Sequence, residues 1–451
     1  MRKSSNEDAS QDAADLKIAQ ESPSAVATRT PFWKRLGPGL ITGVADDDPS
    51  GIGTYSVAGA QFGYGLVWLA PFTILLVIAV QEMSGRISSI TGEGLAAVIK
   101  KHYPRGILLG AVALLFLANV INVWADLNVM AASAQMLFGL SFTFWLTVIA
   151  LGTITLLILV PYRIYVRYLK WLCLALLAYV VTALLPGVKH DWGAIVHNLV
   201  LPHWQPDFGY LMAVVGYLGT TISPYCFFWQ AGETVEEEIA HGVEREPGHR
   251  LFPVAESEIR AVRADTVTGM AISQVIAFFI IICTAATLHA SGHTEINTAQ
   301  DAARALLPLG KSAYWLFTLG ILGAGLLGIP TLAGSAAYAL AETFGWRYGL
   351  YRRFRRARGF YLTIAAVILL GYLLNFIPGV SPVKALLYAA VLNGAVAPPL
   401  IVLLILICNN PAIVGERHNS RLANFMGGLA VVTMAVAILL LFWGVVTGKA
   451  S

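Results

Sequence analysis

Apolar runs of 18 residues or more recur along this chain, and its charge is confined to the short stretches between them. A helix needs about 20 mostly apolar residues to cross ~30 Å of hydrocarbon. Soluble folds do not bury this many such runs. Only 12% of the 451 residues are charged, against roughly 25% in soluble domains. The chain therefore reads as an all-α integral membrane protein of about eleven transmembrane helices, embedded in the lipid bilayer.

The apolar stretches place the spans at Gly37–Phe62, Leu66–Gly85, Ile107–Leu137, Phe144–Val160, Tyr168–Leu185, Tyr210–Gln230, Thr266–Leu288, Ala313–Ala341, Tyr361–Phe376, Pro382–Cys408 and Phe425–Val446. Residues 1–32 are polar, lack the apolar core of a signal peptide and read as a disordered cytoplasmic tail. Cys173, Cys226, Cys283 and Cys408 all fall within apolar runs, without a CxxC pair, and read as small embedded residues.

Charge sets the orientation. With the N-terminus in the cytoplasm, 25 of the 30 Lys and Arg residues fall on the cytoplasmic side. The outer side keeps Lys189, Arg304, Lys311, Lys384 and Lys449. The positive-inside rule thus predicts a cytoplasmic (inner) membrane protein with its C-terminus outside. The densest cluster, Arg347, Arg352, Arg353, Arg355, Arg356 and Arg358, fits topology and headgroup contact rather than nucleic acid. In the longest loop, Glu233–Asp265, residues Glu236, Glu237 and Glu238 read as a solvated helix end.

Two spans are interrupted. In the first, Asp46, Asp47 and Asp48 lie inside an apolar segment and are followed by Pro49, Ser50 and Gly51. Each carboxylate costs about 2.5–3.5 kcal/mol at a membrane helix centre, so such residues face a cavity or a partner. Pro49 removes a backbone donor and pushes Asp48 out of the helical region, which predicts a break over Asp48–Gly51. Carbonyls freed around Ala45, beside a carboxylate, make a cation site. In the sixth span Pro224 follows Ser223 at mid-span. Two Pro-interrupted spans in corresponding positions suggest an inverted repeat of five plus five helices, over 33–186 and 209–408, with the eleventh helix at 423–447.

Three other positions stand out. Asp126, in the third span, reads as a site wall or a proton or counter-ion partner. Gln81 and Glu82 mark the cytoplasmic end of the second span. Asn393, in the tenth, is either an outer ligand or an interhelical hydrogen-bonding residue.

At these residues the chain resembles the Nramp family of divalent-metal transporters. Asp48-Pro49-Ser50-Gly51 stands where that family has Asp-Pro-Gly-Asn, and Ser223-Pro224-Tyr225 where it has Met-Pro-His. The resemblance covers nearly the whole chain and implies a LeuT-like fold with broken helices 1 and 6. It puts Asp48 on the metal-binding aspartate, Gly51 on a ligand asparagine and Ser223 on the methionine ligand. The carbonyls of Ala45 and Thr220 fall on backbone ligands. Tyr225 takes the place of a histidine linked to proton movement, and Asp126 that of a third-helix aspartate in proton transfer. Val129 stands where the family has a glutamate.

These departures carry chemistry. Methionine sulfur favours transition metals, whereas a set of carboxylate, hydroxyl, carbonyl and water suits Mg2+ or Mn2+. Related magnesium transporters also lack the soft ligand. Loss of the histidine and glutamate argues against proton coupling. Asp47 is a further ligand candidate and Asp46 a weaker one, because neighbours on a helix point about 100° apart.

The sequence thus describes a transporter, not an enzyme, that moves Mn2+ or Mg2+ by alternating access and binds no permanent cofactor. It is compatible with a monomer. A Na+-coupled carrier of amino acids or other organic solutes on the same fold is the alternative, against which the acidic break argues. A non-transporting sensor would be expected to carry a large soluble output domain.

Overall fold

The structure is a computed structural model that describes residues 37–160, 164, 173–205, 207–240, 242, 247–248, 254–294, 311–377 and 382–447. The expected tail at 1–32 and residues 168–172 of the fifth span lie outside these residues. The described residues contain helices and no strands. In chain order they are α1 (Pro38–Ala45), α2 (Pro49–Phe62), α3 (Leu69–Thr91), α4 (Leu95–His102), α5 (Arg105–Phe138), α6 (Phe142–Leu159), α7 (Leu177–Ala183) and α8 (Trp192–Val200). There follow α9 (Phe208–Thr221), α10 (Pro224–Ala240), α11 (Glu256–Thr284), α12 (Lys311–Phe344), α13 (Arg358–Leu374), α14 (Pro382–Cys408), α15 (Pro411–Val414) and α16 (Arg421–Val446).

Among the described residues, 8 helical stretches are long and apolar enough to span a bilayer, the α9–α10 pair counting as one. The apolar α13 is shorter, at 17 residues. The first span is divided into helices of 8 and 14 residues, neither long enough to cross alone. Three short helices, α4, α8 and α15, lie outside the expected spans.

Burial sorts the helices into a centre and a rim. In α9–α10, 89% of the most apolar window is buried, against 22% in α6 and in α16. The interrupted sixth span therefore runs through the middle of the bundle. The rim presents large apolar side chains outward, such as Leu159 on α6 and Leu439, Phe442 and Trp443 on α16, as a lipid-facing surface requires.

The break in the first span falls two to three residues earlier than Pro49 alone suggests. The non-helical residues are Asp46–Asp48, and Ser50 and Gly51 belong to α2. The reason is local. Proline fits the first turn of a helix, where its missing amide has no partner to lose. Asp48, in extended conformation (φ −66°, ψ 173°), accepts from the Gly51 amide at 2.8 Å and so starts a new helix. Pro224 is likewise the first residue of α10, but Ser223 before it turns its hydroxyl back to the carbonyls at the end of α9. By contrast, Pro330 lies inside a continuous α12, and Pro398 and Pro399 inside a continuous α14.

Helices α1 and α11 run side by side in matched steps of four residues. The Asp265 carboxylate accepts from the amides of Gly37 (2.9 Å), Gly39 (2.7 Å) and Leu40 (3.1 Å), closing the N-terminus of α1. One turn on, Gly43 meets Gly269 so closely that a Cβ on Gly43 would stand 2.2 Å from the Gly269 carbonyl carbon. One further turn on, Asp47 meets Ser273. Small residues at the crossing let the two backbones touch.

One expectation for the cytoplasmic side is corrected. Glu236 is not solvated: it is 2% exposed. Its carboxylate accepts from the Tyr338 hydroxyl on α12 (2.7 Å) and from the amides of Leu350 and Tyr351. Nearby backbone donors and a tyrosine supply the hydrogen bonds that a buried carboxylate requires. Gln81 does more than mark the end of its span, because its amide donates to the Cys226 carbonyl of α10 at 2.7 Å.

Candidate metal centre at the helix break

Asp46, Asp47 and Asp48 are all fully buried, at 1%, 0% and 1% exposure. The unwound backbone sends them in three directions. Asp46 Oδ1 accepts from the Cys226 thiol of α10 at 3.3 Å. Asp47 Oδ1 accepts from the Ser273 hydroxyl of α11 at 3.2 Å. Asp48 Oδ1 is held by the Gly51 amide, and its Oδ2 accepts from the Tyr225 hydroxyl at 3.2 Å. The trio therefore does not converge on one point.

What does converge is a set of hard oxygens around Asp48. The Tyr225 hydroxyl also reaches the Ala45 carbonyl, at 3.1 Å. That carbonyl is left over by the end of α1, whose last intrahelical bonds close on Thr42 and Val44. One carboxylate oxygen, one freed carbonyl and one hydroxyl thus share a single locus. Tyr225 belongs to this locus directly, rather than to a path leading away from it.

Asp126 closes the opposite side. It is 0% exposed, and neither of its oxygens has a hydrogen-bond partner among the described residues. Gly328 of α12 lies against both acids. A Cβ there would stand 2.7 Å from Asp48 Cβ and 3.7 Å from Asp126 Oδ2. Larger side chains at 328 would displace Asp48, so this glycine shapes the site. The sequence carried a signal for it in the run Gly320, Gly325, Gly328 and Gly334 on one helix. These glycines meet Tyr179, Met130, Asp48 and Trp229 in turn.

Unlike Tyr225, Ser223 sits beside Asp46 rather than Asp48. The Ser223 hydroxyl donates to the carbonyls of Gly219 (3.0 Å) and Thr220 (2.8 Å), the groups freed where α9 ends. Ser223 also faces Asp46. Gly51 lies between the two breaks: a Cβ on it would be 3.2 Å from both the Asp46 carbonyl and Thr220 Oγ1. Asn393 is engaged elsewhere, in a reciprocal amide pair with Asn122 of α5 at 3.0 and 3.3 Å. Among the described residues no group of three or more His, Cys, Asp or Glu side chains could hold a metal. A cation at this break would rest on one carboxylate and on backbone and hydroxyl oxygens, a hard donor set.

A bundle of spanning helices with two helix breaks meeting at buried acids defines a broken-helix membrane transporter. The match of residues 39–444 to the family described as natural resistance-associated macrophage protein-like makes the assignment specific: the chain belongs to the Nramp family. That is a family of transporters, not of enzymes. The chain is 27% identical over 438 residues to the divalent metal cation transporter MntH of Chromohalobacter salexigens, covering 94% of this chain and 95% of that one. It is likewise 27% identical over 439 residues to the MntH of Ralstonia nicotianae, covering 94% and 95%. Among solved structures it is similar to the Eremococcus coleocola manganese transporter (TM-score 0.71, 19% identity, 92% and 87% coverage). It is also similar to Mhp1, a nucleobase-cation-symport-1 family transporter (TM-score 0.58, 16% identity, 92% and 93% coverage). These likenesses establish the LeuT-like fold.

Proposed function

We propose that this protein carries a divalent metal cation, Mn2+ or Mg2+, across the cytoplasmic membrane by alternating access. The N-terminus lies in the cytoplasm, and the helices of 33–186 and 209–408 form the two inverted repeats. The observation that carries this reading is the meeting of Asp48 Oδ2, the Ala45 carbonyl and the Tyr225 hydroxyl at the first break. Asp48 is the central ligand. Asp126, across Gly328, supplies a second negative charge that draws the cation in. Thr220, Ser223 and Gly51 line the facing break and hold water against the ion, and Mg2+ characteristically keeps several waters.

The donor set favours the hard ions. No thioether lies at position 223, so soft ions lose the sulfur ligand that would select them. The relatives named as divalent metal cation transporters support the substrate class. A carrier of amino acids on this fold would use a free half-helix N-terminus for the substrate carboxylate. At the first break that position is already capped by Asp48.

Proteoliposome uptake tests the proposal. Wild-type protein should load Mn2+ or Mg2+ into vesicles, read by a trapped indicator, and Asp48→Ala should abolish loading. Normal loading by that variant would refute the site.

A further inference from the structure

Asp47 stands apart from the locus just described, and its surroundings have the character of a second site. Its Oδ1 accepts from Ser273, while Oδ2 has no hydrogen-bond partner although the side chain is 0% exposed. The Tyr55 hydroxyl faces the same carboxylate and lies 3.3 Å from Thr221 Oγ1. Behind them Gln274 Oε1 accepts from Thr73 (2.7 Å) and Tyr217 (3.0 Å). Among the described residues no Lys, Arg or His pairs with Asp46, Asp47, Asp48 or Asp126. Buried ionised carboxylates left without a counter-charge cost several kcal/mol each. A divalent ion beside Asp48 does not reach the carboxylate of Asp47, which turns to the opposite helix.

We infer that Asp47, Ser273, Thr221 and Tyr55 form a binding site for a small monovalent cation, Na+, between α1, α2, α9 and α11. The site is built into the packing. Gly43 and Gly269 fix the two helices in backbone contact, and Asp47 and Ser273 follow each by four residues, one helical turn. The hydroxyls are therefore brought to the carboxylate by the same register that closes the start of α1 on Asp265. One carboxylate with neutral hydroxyls balances a single positive charge. The oxygen spacing also fits. Ligands at roughly 2.4 Å from an ion of Ca2+-like radius, which Na+ closely matches, stand about 3.4 Å apart on adjacent vertices. The Asp47–Ser273 and Tyr55–Thr221 contacts measure 3.2 and 3.3 Å. The larger K+ requires wider spacing.

The test is direct binding of 22Na+ to the purified full-length protein, with no divalent metal present. Wild type should bind 22Na+ saturably, and unlabelled Na+ should compete at least tenfold better than K+. Asp47→Asn should abolish binding, Ser273→Ala should weaken it about tenfold, and Asp48→Asn should leave it in place. Each variant is also checked by gel filtration and thermal melting; because Ser273→Ala removes only a hydroxyl, it decides the matter if Asp47→Asn misfolds. Absence of saturable 22Na+ binding to wild type overturns the inference. So does binding that a folded Ser273→Ala or Asp47→Asn variant leaves unchanged, or binding that Asp48→Asn removes. The readout requires no divalent-metal transport, so its failure and the failure of the proposed metal site are separable.

Discussion

The Tyr225 hydroxyl lies 3.2 Å from Asp48 Oδ2 and 3.1 Å from the Ala45 carbonyl, tying the two halves of the first span to the start of α10. A cation bound by Asp48 meets this hydroxyl as a third hard oxygen. Tyr225→Phe keeps the ring and removes that oxygen. Divalent-metal affinity measured by calorimetry should fall about tenfold, equivalent to ~1.4 kcal/mol. Tighter binding would mean that the hydroxyl competes with the ion instead of ligating it.

Asp48 has two separable tasks, capping α2 and holding charge. Asparagine is as good an N-cap as aspartate, whereas alanine costs about 1 kcal/mol. Asp48→Asn should therefore melt near the wild-type temperature, and Asp48→Ala should melt lower. Both should lose calorimetric metal binding. Retained binding in the asparagine variant would show that the charge is not required.

Gly328 probes the site without touching its charges. The alanine Cβ would arrive 2.7 Å from Asp48 Cβ, closer than carbon atoms tolerate. Gly328→Ala should cut metal uptake into proteoliposomes at least tenfold while the protein still elutes as a folded species. Wild-type uptake would mean that Asp48 can shift without consequence.

Asp265 holds the start of α1 through three amides. Asp265→Ala strands those donors, and each buried unsatisfied group costs about 1–3 kcal/mol. A clear drop in the detergent melting temperature is expected. Asp265→Asn, which keeps one acceptor oxygen, should fall between alanine and wild type. Equal melting of all three proteins would assign those amides to other acceptors.

The length of the apolar runs was enough to read the spanning helices, because hydrocarbon thickness sets a minimum that few other constraints imitate. The place of the first break was read two to three residues late. Proline at 49 looked like a disruptor, but it serves as the first residue of a helix whose cap is Asp48. The 100° helical spacing was the reason to expect neighbouring aspartates to diverge, but they diverge across an unwound segment, toward residues the sequence did not reveal. Cys226 and Ser273 lie 180 and 226 residues away from their partners, and only the fold brings them close. Glu236 misled for a related reason. A run of three glutamates at a helix end reads as solvated, yet the donors that bury one of them come from a loop more than a hundred residues on.

That same glutamate links three separate segments. Tyr338 lies on α12, while Leu350 and Tyr351 belong to the arginine-bearing stretch between α12 and α13. The C-terminal end of α10 consequently cannot pivot by itself. Any displacement of that end either drags the cationic segment along or ruptures three hydrogen bonds together, so the loop acts as ballast on it.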